Sequence, residues 1–165
     1  MSALIVAAAP DAAAQEELDR LRRENFPPER NQLPAHLTLF HALPGEALGE
    51  VVEACRDACR ADPPRAQVRS VRSLGRGAAL VVDSPGLVAA RAAVAGRFAG
   101  RLTRQDAQGF RPHVTVQNFV DPATARATVE RLDAGFAPWG FTVEALAVHR
   151  YAGGPWELLE TVPFG

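Results

Sequence analysis

Two of the chain's four histidines head the same four-residue pattern, His36-Leu37-Thr38-Leu39 and His113-Val114-Thr115-Val116. Imidazole, with an ordinary pKa of about 6.5, can give or take a proton near neutrality. Two imidazoles on opposite sides of a phosphorus centre can serve as base and acid in one in-line displacement, each role typically worth about 10²–10⁴-fold. A threonine hydroxyl two residues further on can donate to a nonbridging phosphate oxygen, and it adds no charge that would trap the substrate.

Alternation along extended chain turns this spacing into geometry. His36, Thr38 and Phe40 fall on one face, with Leu37, Leu39 and His41 on the other; His113, Thr115, Gln117 and Phe119 fall opposite Val114 and Val116. The aliphatic members can pack under helices while the His and Thr side chains face a cleft. His36 and His113 are the candidate catalytic pair, with Thr38 and Thr115 as hydrogen-bond donors to the phosphate. On the same face Phe40 and Phe119 are placed to stack on a base, and Gln117 joins them as a candidate substrate contact. His41 reads as a core-side residue. His149, Arg150 and Tyr151 end a strand; Tyr151 is a further candidate substrate contact at the cleft mouth. Trp156 reads as core of the C-terminal hairpin, and Trp139 lies in a Pro-Trp-Gly loop.

The flanks of the two patterns repeat as well. Each is preceded by a strand and a helix: 4–8 then 11–24 in the first half, 78–82 then 85–99 in the second. Each is followed by a helix and a strand: 46–60 then 65–73, and 123–133 then 140–150. Gly75-Arg76-Gly77 and Gly153-Gly154-Pro155 then turn the chain into 78–82 and 156–162. Leu48, Val51, Val52, Cys55 and Cys59 form one apolar stripe at helical spacing. Ser84-Pro85 and Asp121-Pro122 each set a capping side chain before a proline at the first helical position. Helices alternating with hairpin strands predict an α+β fold, antiparallel sheet lining a central cleft with helices outside. No linker separates the halves, so residues 1–165 are expected to form a single bilobal, pseudo-twofold domain.

The arrangement resembles the 2H phosphoesterase superfamily, named for its two His-x-Thr/Ser-x motifs, and within it the 2′-5′ RNA ligase / cyclic phosphodiesterase branch. The run Arg111-Pro112-His113-Val114-Thr115 is similar to that family's approach to its second motif. The resemblance implies a bilobal fold with no metal or other cofactor, acting on 2′,3′-cyclic phosphates or 2′-5′ linkages. It implies His36 as proton donor and His113 as proton acceptor in hydrolysis, with Thr38 and Thr115 as phosphate-binding hydroxyls. Many members carry a basic residue shortly after the second motif. Here Gln117 and Asn118 stand there, which weighs against RNA ligation.

Composition narrows the partners. The chain has 165 residues, 47% hydrophobic and 22% charged, with a net charge of -1. That balance supports a folded core and opposes disorder. It also opposes tight binding of long duplex nucleic acid, whose affinity comes from many basic contacts. The expected partner is a small nucleotide or an RNA end bearing a 2′,3′-cyclic phosphate, met by a monomer. No apolar run approaches the length of a membrane span. The apolar start, 3–10, lacks the basic segment of a signal peptide. Cys55 and Cys59, four apart in a helix, read as small buried residues, and without a disulfide framework the chain is expected in the cytoplasm. All 18 basic residues are arginine, and nine of them fall between 65 and 111 against two acids, Asp83 and Asp106. Such a segment is either a solvated face or a surface that attracts phosphates.

Two other classes stay open at this stage. One is a non-catalytic module that binds an RNA end or nucleotide in the same cleft. The other is a metal hydrolase built on His36, His113 and His41 or His149, although no His-x-x-x-His or carboxylate–His spacing supports it.

Overall fold

The run of small and β-branched residues at Ala3–Pro10 makes β1, in which Leu4 through Ala8 are all buried. A strand buried on both faces belongs in the middle of a covered sheet, and β1 lies between β2 (Leu37–Pro44) and β6 (Trp139–Tyr151). The computed structural model describes residues 2–165. Among them the remaining strands are β3 (Arg65–Ser73), β4 (Ala78–Asp83), β5 (His113–Gln117) and β7 (Glu157–Pro163). The helices are α1 (Ala12–Asn25), α2 (Leu48–Ala58), α3 (Pro85–Arg97), α4 (Arg104–Ala107) and α5 (Pro122–Ala134).

All strand pairs are antiparallel, in the order β2-β1-β6-β3-β4-β5 with β7 added to β6. The order is symmetric about the β6–β3 junction. Each half of the chain supplies its first strand and its motif strand to one lobe and sends its next strand to the other. Strand β6 spans the junction: Trp139 to Thr142 pair with β3, and Val143 to Tyr151 with β1. The end strands β2 and β5, which carry the two motifs, approach each other. The expected helices and strands are all present, within a few residues of their expected ends. The short α4 was not foreseen.

Caps fix the helix starts. Asp11, Ser84 and Asp121 accept from the backbone N–H three residues on, at 2.9, 3.3 and 2.8 Å. Beneath the helices lie Leu37, Leu39, Val114 and Val116, all buried. Cys55 and Cys59 are buried free thiols, pushed by burial up to about 12 and about 11, so neither is a nucleophile near neutrality.

Candidate active site

Each motif begins at a proline-directed turn into its strand. The His36 Nδ1–H donates to the carbonyl of Pro34 at 2.9 Å, and the His113 Nδ1–H to the carbonyl of Arg111 at 3.0 Å. A carbonyl oxygen only accepts, so both rings carry hydrogen on Nδ1, and in the neutral ring Nε2 bears the lone pair. Both imidazoles are half-buried. They are close enough that His113 contributes to the lowering of the His36 pKa. Burial is the largest cause of that lowering. The Pro34 carbonyl opposes it, and the charges of Arg22 and His149 add to it.

Sheet register aligns the threonines with small residues. Thr38 is paired with Ala7, which is paired with Ala147; Thr115 is paired with Ala79, which is paired with Arg72. Ala7 and Ala79 are buried, so the floor beside each hydroxyl is made of methyl groups. Thr38 and His113 line one cavity of about 330 Å³ with His41, Arg72, Arg91 and Arg111. His36 lines another of about 340 Å³ with Ala7, Leu33, His149 and Trp156. The site is therefore polar on the His113 side and apolar on the His36 side.

Two of the residues expected on the cleft face are not there. Phe40 is fully buried and Gln117 nearly so. The cause is the same in both copies: the register shifts by one residue after Thr38 against β1 and after Thr115 against β4. A bulge breaks the alternation, so Leu39 and Phe40 both turn inward, as do Val116 and Gln117. Phe40 lies under the Arg91 guanidinium, 4.4 Å from ring centroid to Cζ. The Gln117 amide donates to the Asn25 carbonyl at 3.1 Å and to Thr128 Oγ1 at 2.8 Å, fastening α1 and α5 to β5. Neither side chain can touch a substrate.

The same bulge turns His41 outward, contrary to its core-side reading. A second register shift follows, with His41 and Ala42 between Phe40 and Leu43 set against Ile5 alone, and Asp106 of α4 caps it: its Oδ1 accepts from the His41 N–H at 2.8 Å and its Oδ2 from the Ala42 N–H at 2.9 Å. Burial works to raise the Asp106 pKa, but the hydrogen bonds from His41 and Ala42 win and hold it below the usual carboxylate value.

Phe119 and Tyr151 are exposed and border a groove of about 620 Å³ with Arg30 and Trp156. Phe119 has φ 65°, a left-handed conformation rare for a bulky residue. The Asn118 Oδ1 accepts from its N–H at 2.9 Å, and its ring stands edge-on to Phe26. Trp156 is not core: its ring lies 4.8 Å from that of His36 and 5.5 Å from that of His149. Trp139 packs on Phe141. Among the described residues no three His, Cys, Asp or Glu side chains gather as a metal site needs, and no helix is long and apolar enough to cross a membrane.

Residues 9–155 match the family model of the 2′-5′ RNA ligase superfamily. The chain belongs to that superfamily. Its two motifs and its fold place it with the 2H phosphoesterases. Among solved structures, TT0787 of Thermus thermophilus is similar at 20% identity and a TM-score of 0.66, over 98% of this chain and 97% of that one. E. coli LigT, solved in complex with 3′-AMP, is similar at 20% identity and a TM-score of 0.58, over 99% and 98%. LigT in complex with NADP+ gives 17% identity and a TM-score of 0.59, over the same shares. At such identities the likeness is one of fold. No curated protein matches the chain.

Proposed function

We propose that this member of the superfamily is a metal-independent phosphodiesterase that opens a 2′,3′-cyclic phosphate on a small nucleotide or an RNA end. The observation that carries the reading is the matched pair of Nδ1 hydrogen bonds at His36 and His113. Both rings are held in one tautomer, leaving Nε2 as the atom that moves a proton. His113 Nε2 takes a proton from water as the water oxygen attacks phosphorus. His36 Nε2–H gives its proton to the departing ribose oxygen as the P–O bond breaks. The product is a phosphomonoester, and water is the only other reactant. Thr38 and Thr115 donate to the nonbridging oxygens, where charge grows in the transition state.

The two sides of the site suit a nucleotide. The apolar cavity beside His36, with Leu33 and Trp156, accepts a base or ribose face, and Phe119 and Tyr151 offer further stacking surface at its rim. That LigT has been solved with 3′-AMP and with NADP+ supports a nucleotide ligand here. Ligation to a 2′-5′ linkage would be the same ring opening with a 5′ hydroxyl in place of water; hydrolysis is favoured here because Gln117, where many relatives carry a basic residue, is buried.

The test is turnover of the four nucleoside 2′,3′-cyclic phosphates, with the products identified by phosphorus NMR, in wild type and in His36→Ala and His113→Ala. A single phosphomonoester, formed by wild type alone, is expected. Binding without turnover would instead make the cleft a recognition module.

A further inference from the structure

The cavity beside His113 is larger than one reacting phosphate requires, and its charge is not balanced. Arg72, Arg91 and Arg111 line it together with His41. Its one acid is Asp106, which accepts from the His41 and Ala42 N–H groups, lies 3.4 Å from His41 Nδ1 and acts on Arg91; one carboxylate against three guanidiniums leaves the cavity positive. Of the other arginines in the same segment, Arg69 faces Asp83, Arg97 faces Glu53 and Asp57, and Arg101 faces Glu50; Arg65, Arg76 and Arg104 form no ion pair among the described residues, but none of them lines this cavity. Arg72 and Arg111 make no side-chain hydrogen bond or ion pair among the described residues. Arg91 is held in place, its Nε donating to the Leu39 carbonyl at 3.3 Å and its ring neighbours being Phe40 and Phe110.

We infer that the arginine end of this cavity, beyond Thr38 and His113, is a second anion site, which holds a phosphate other than the one that reacts. The inference rests on the phosphodiesterase reading and names its substrate class. In a nucleoside 2′,3′-cyclic phosphate both lower ribose oxygens are already esterified, so a further phosphate must sit on the 5′ carbon. The substrate is then a cyclic-phosphate nucleotide with a 5′ phosphate. Register supports a site beside the reacting group and not on it: Arg72 is two strands from Thr115, roughly 10 Å between backbones. The opposite side of the site, walled by Ala7, Leu33 and Trp156 beside His36 and His149, carries no arginine. The 5′ phosphate can belong to a free nucleotide or be the next phosphodiester of an RNA end. Both present the same anionic oxygens to the arginines.

Calorimetry with adenosine 3′-monophosphate and adenosine 3′,5′-bisphosphate tests the site without relying on turnover. In wild type the bisphosphate should bind at least about tenfold more tightly, the scale of one charge-assisted hydrogen bond, and the preference should shrink as salt rises. In Arg72→Gln and Arg111→Gln, both at exposed positions, the affinity ratio should fall toward one. A ratio near one in wild type, or a preference that both variants keep, overturns the inference. Turnover then separates the sources. Adenosine 5′-phosphate 2′,3′-cyclic phosphate and a dinucleotide ending in a cyclic phosphate are compared with adenosine 2′,3′-cyclic phosphate. A gain for the first alone identifies free nucleotides, a gain for both identifies RNA ends, and a gain for neither overturns the inference. If no cyclic phosphate turns over while the arginine-dependent affinity ratio persists, the phosphodiesterase reading fails and the second anion site stands.

Discussion

The Arg22 guanidinium on α1 donates to the Thr115 carbonyl of the second motif at 3.0 Å. Arg91 on α3 returns the contact, donating to the Leu39 carbonyl of the first. A helix of each half thus holds the motif strand of the other, which fixes the spacing of the two histidines. Arg22 is also buried, stacks on Phe26 and donates to Asn31. Burial lowers its own pKa and the charge of Asp19 works against this, yet arginine stays protonated. Its charge helps to hold His36 low. Arg22→Met, which keeps the apolar stem, should raise the His36 pKa in a proton NMR titration. It should also cost about 1–3 kcal/mol of stability through the acceptors left unpaired. An unmoved His36 titration would show that Arg22 acts on the site only by packing.

His36→Ala and His113→Ala should each lower kcat by at least about 10²-fold, the loss expected for a missing acid or base. Both rings sit at strand entrances and not among the buried aliphatic residues, so a cooperative melt near wild type is expected alongside. Near-normal turnover in either variant rules out the paired mechanism.

The threonines should matter less than the histidines. Thr38→Val and Thr115→Val each remove a neutral donor to a charged oxygen, which is worth about 1.5–3 kcal/mol, or roughly one to two orders of magnitude in kcat/KM. The loss should appear in kcat more than in KM if the bond strengthens as charge develops. A structure with phosphate or sulfate bound away from both hydroxyls would remove the role assigned to them.

Asp106 is expected to be structural first. Replacing it with Ala leaves the His41 and Ala42 N–H groups, at the second register shift of β2, without acceptors. At about 1–3 kcal/mol for each unpaired donor, Asp106→Ala should lose roughly 2–6 kcal/mol in urea denaturation. Asp106→Asn, which keeps one acceptor oxygen, should lose less. Equal stability of both variants would mean that water replaces the carboxylate at the bulge.

Much of this was legible because apolar and polar residues alternate. The pattern placed Leu37, Leu39, Val114 and Val116 under the helices, and the repeated His-x-Thr showed that the chain has two matching halves. The structure departs from the pattern one residue beyond each threonine. A bulge leaves no mark in a period-two pattern when the inserted position is apolar, as at Leu39-Phe40, and it misleads when the residue turned inward is polar, as at Gln117. His41, Phe40 and Gln117 were misplaced by that single backbone event, written twice. Trp156 departs from its core reading for another reason: a large aromatic in a hairpin usually fills core, and only the β6–β7 register brings it against His36. The cross-lobe reach of Arg22 and Arg91 depends on strand order, which no local pattern encodes.

The pH dependence has a definite sign. In hydrolysis His36 must be protonated and His113 neutral, so kcat/KM should be bell-shaped, its limbs being macroscopic values of the pair. The maximum of such a curve lies midway between the two values. The His36 value is lowered, by burial first and then by Arg22, His149 and His113. That draws the maximum toward acid from where two ordinary imidazoles would put it, yet within about a unit of 6.5. Bound anionic phosphate favours both protonated rings, so the kcat maximum should lie at higher pH than the kcat/KM maximum. Stability follows the same groups. The folded pKa values of His36 and His149 are depressed, the latter by burial. Between those values and about 6.5 the unfolded chain binds more protons, so Tm should fall as pH drops from about 6.5 through the folded values. A bound nucleoside 3′-monophosphate should lessen that fall. EDTA should leave the rate profile unchanged, because water activated by imidazole needs no metal. A rate that only climbs with pH, and that chelator abolishes, would identify a metal-bound hydroxide as the nucleophile and overturn the paired-histidine mechanism.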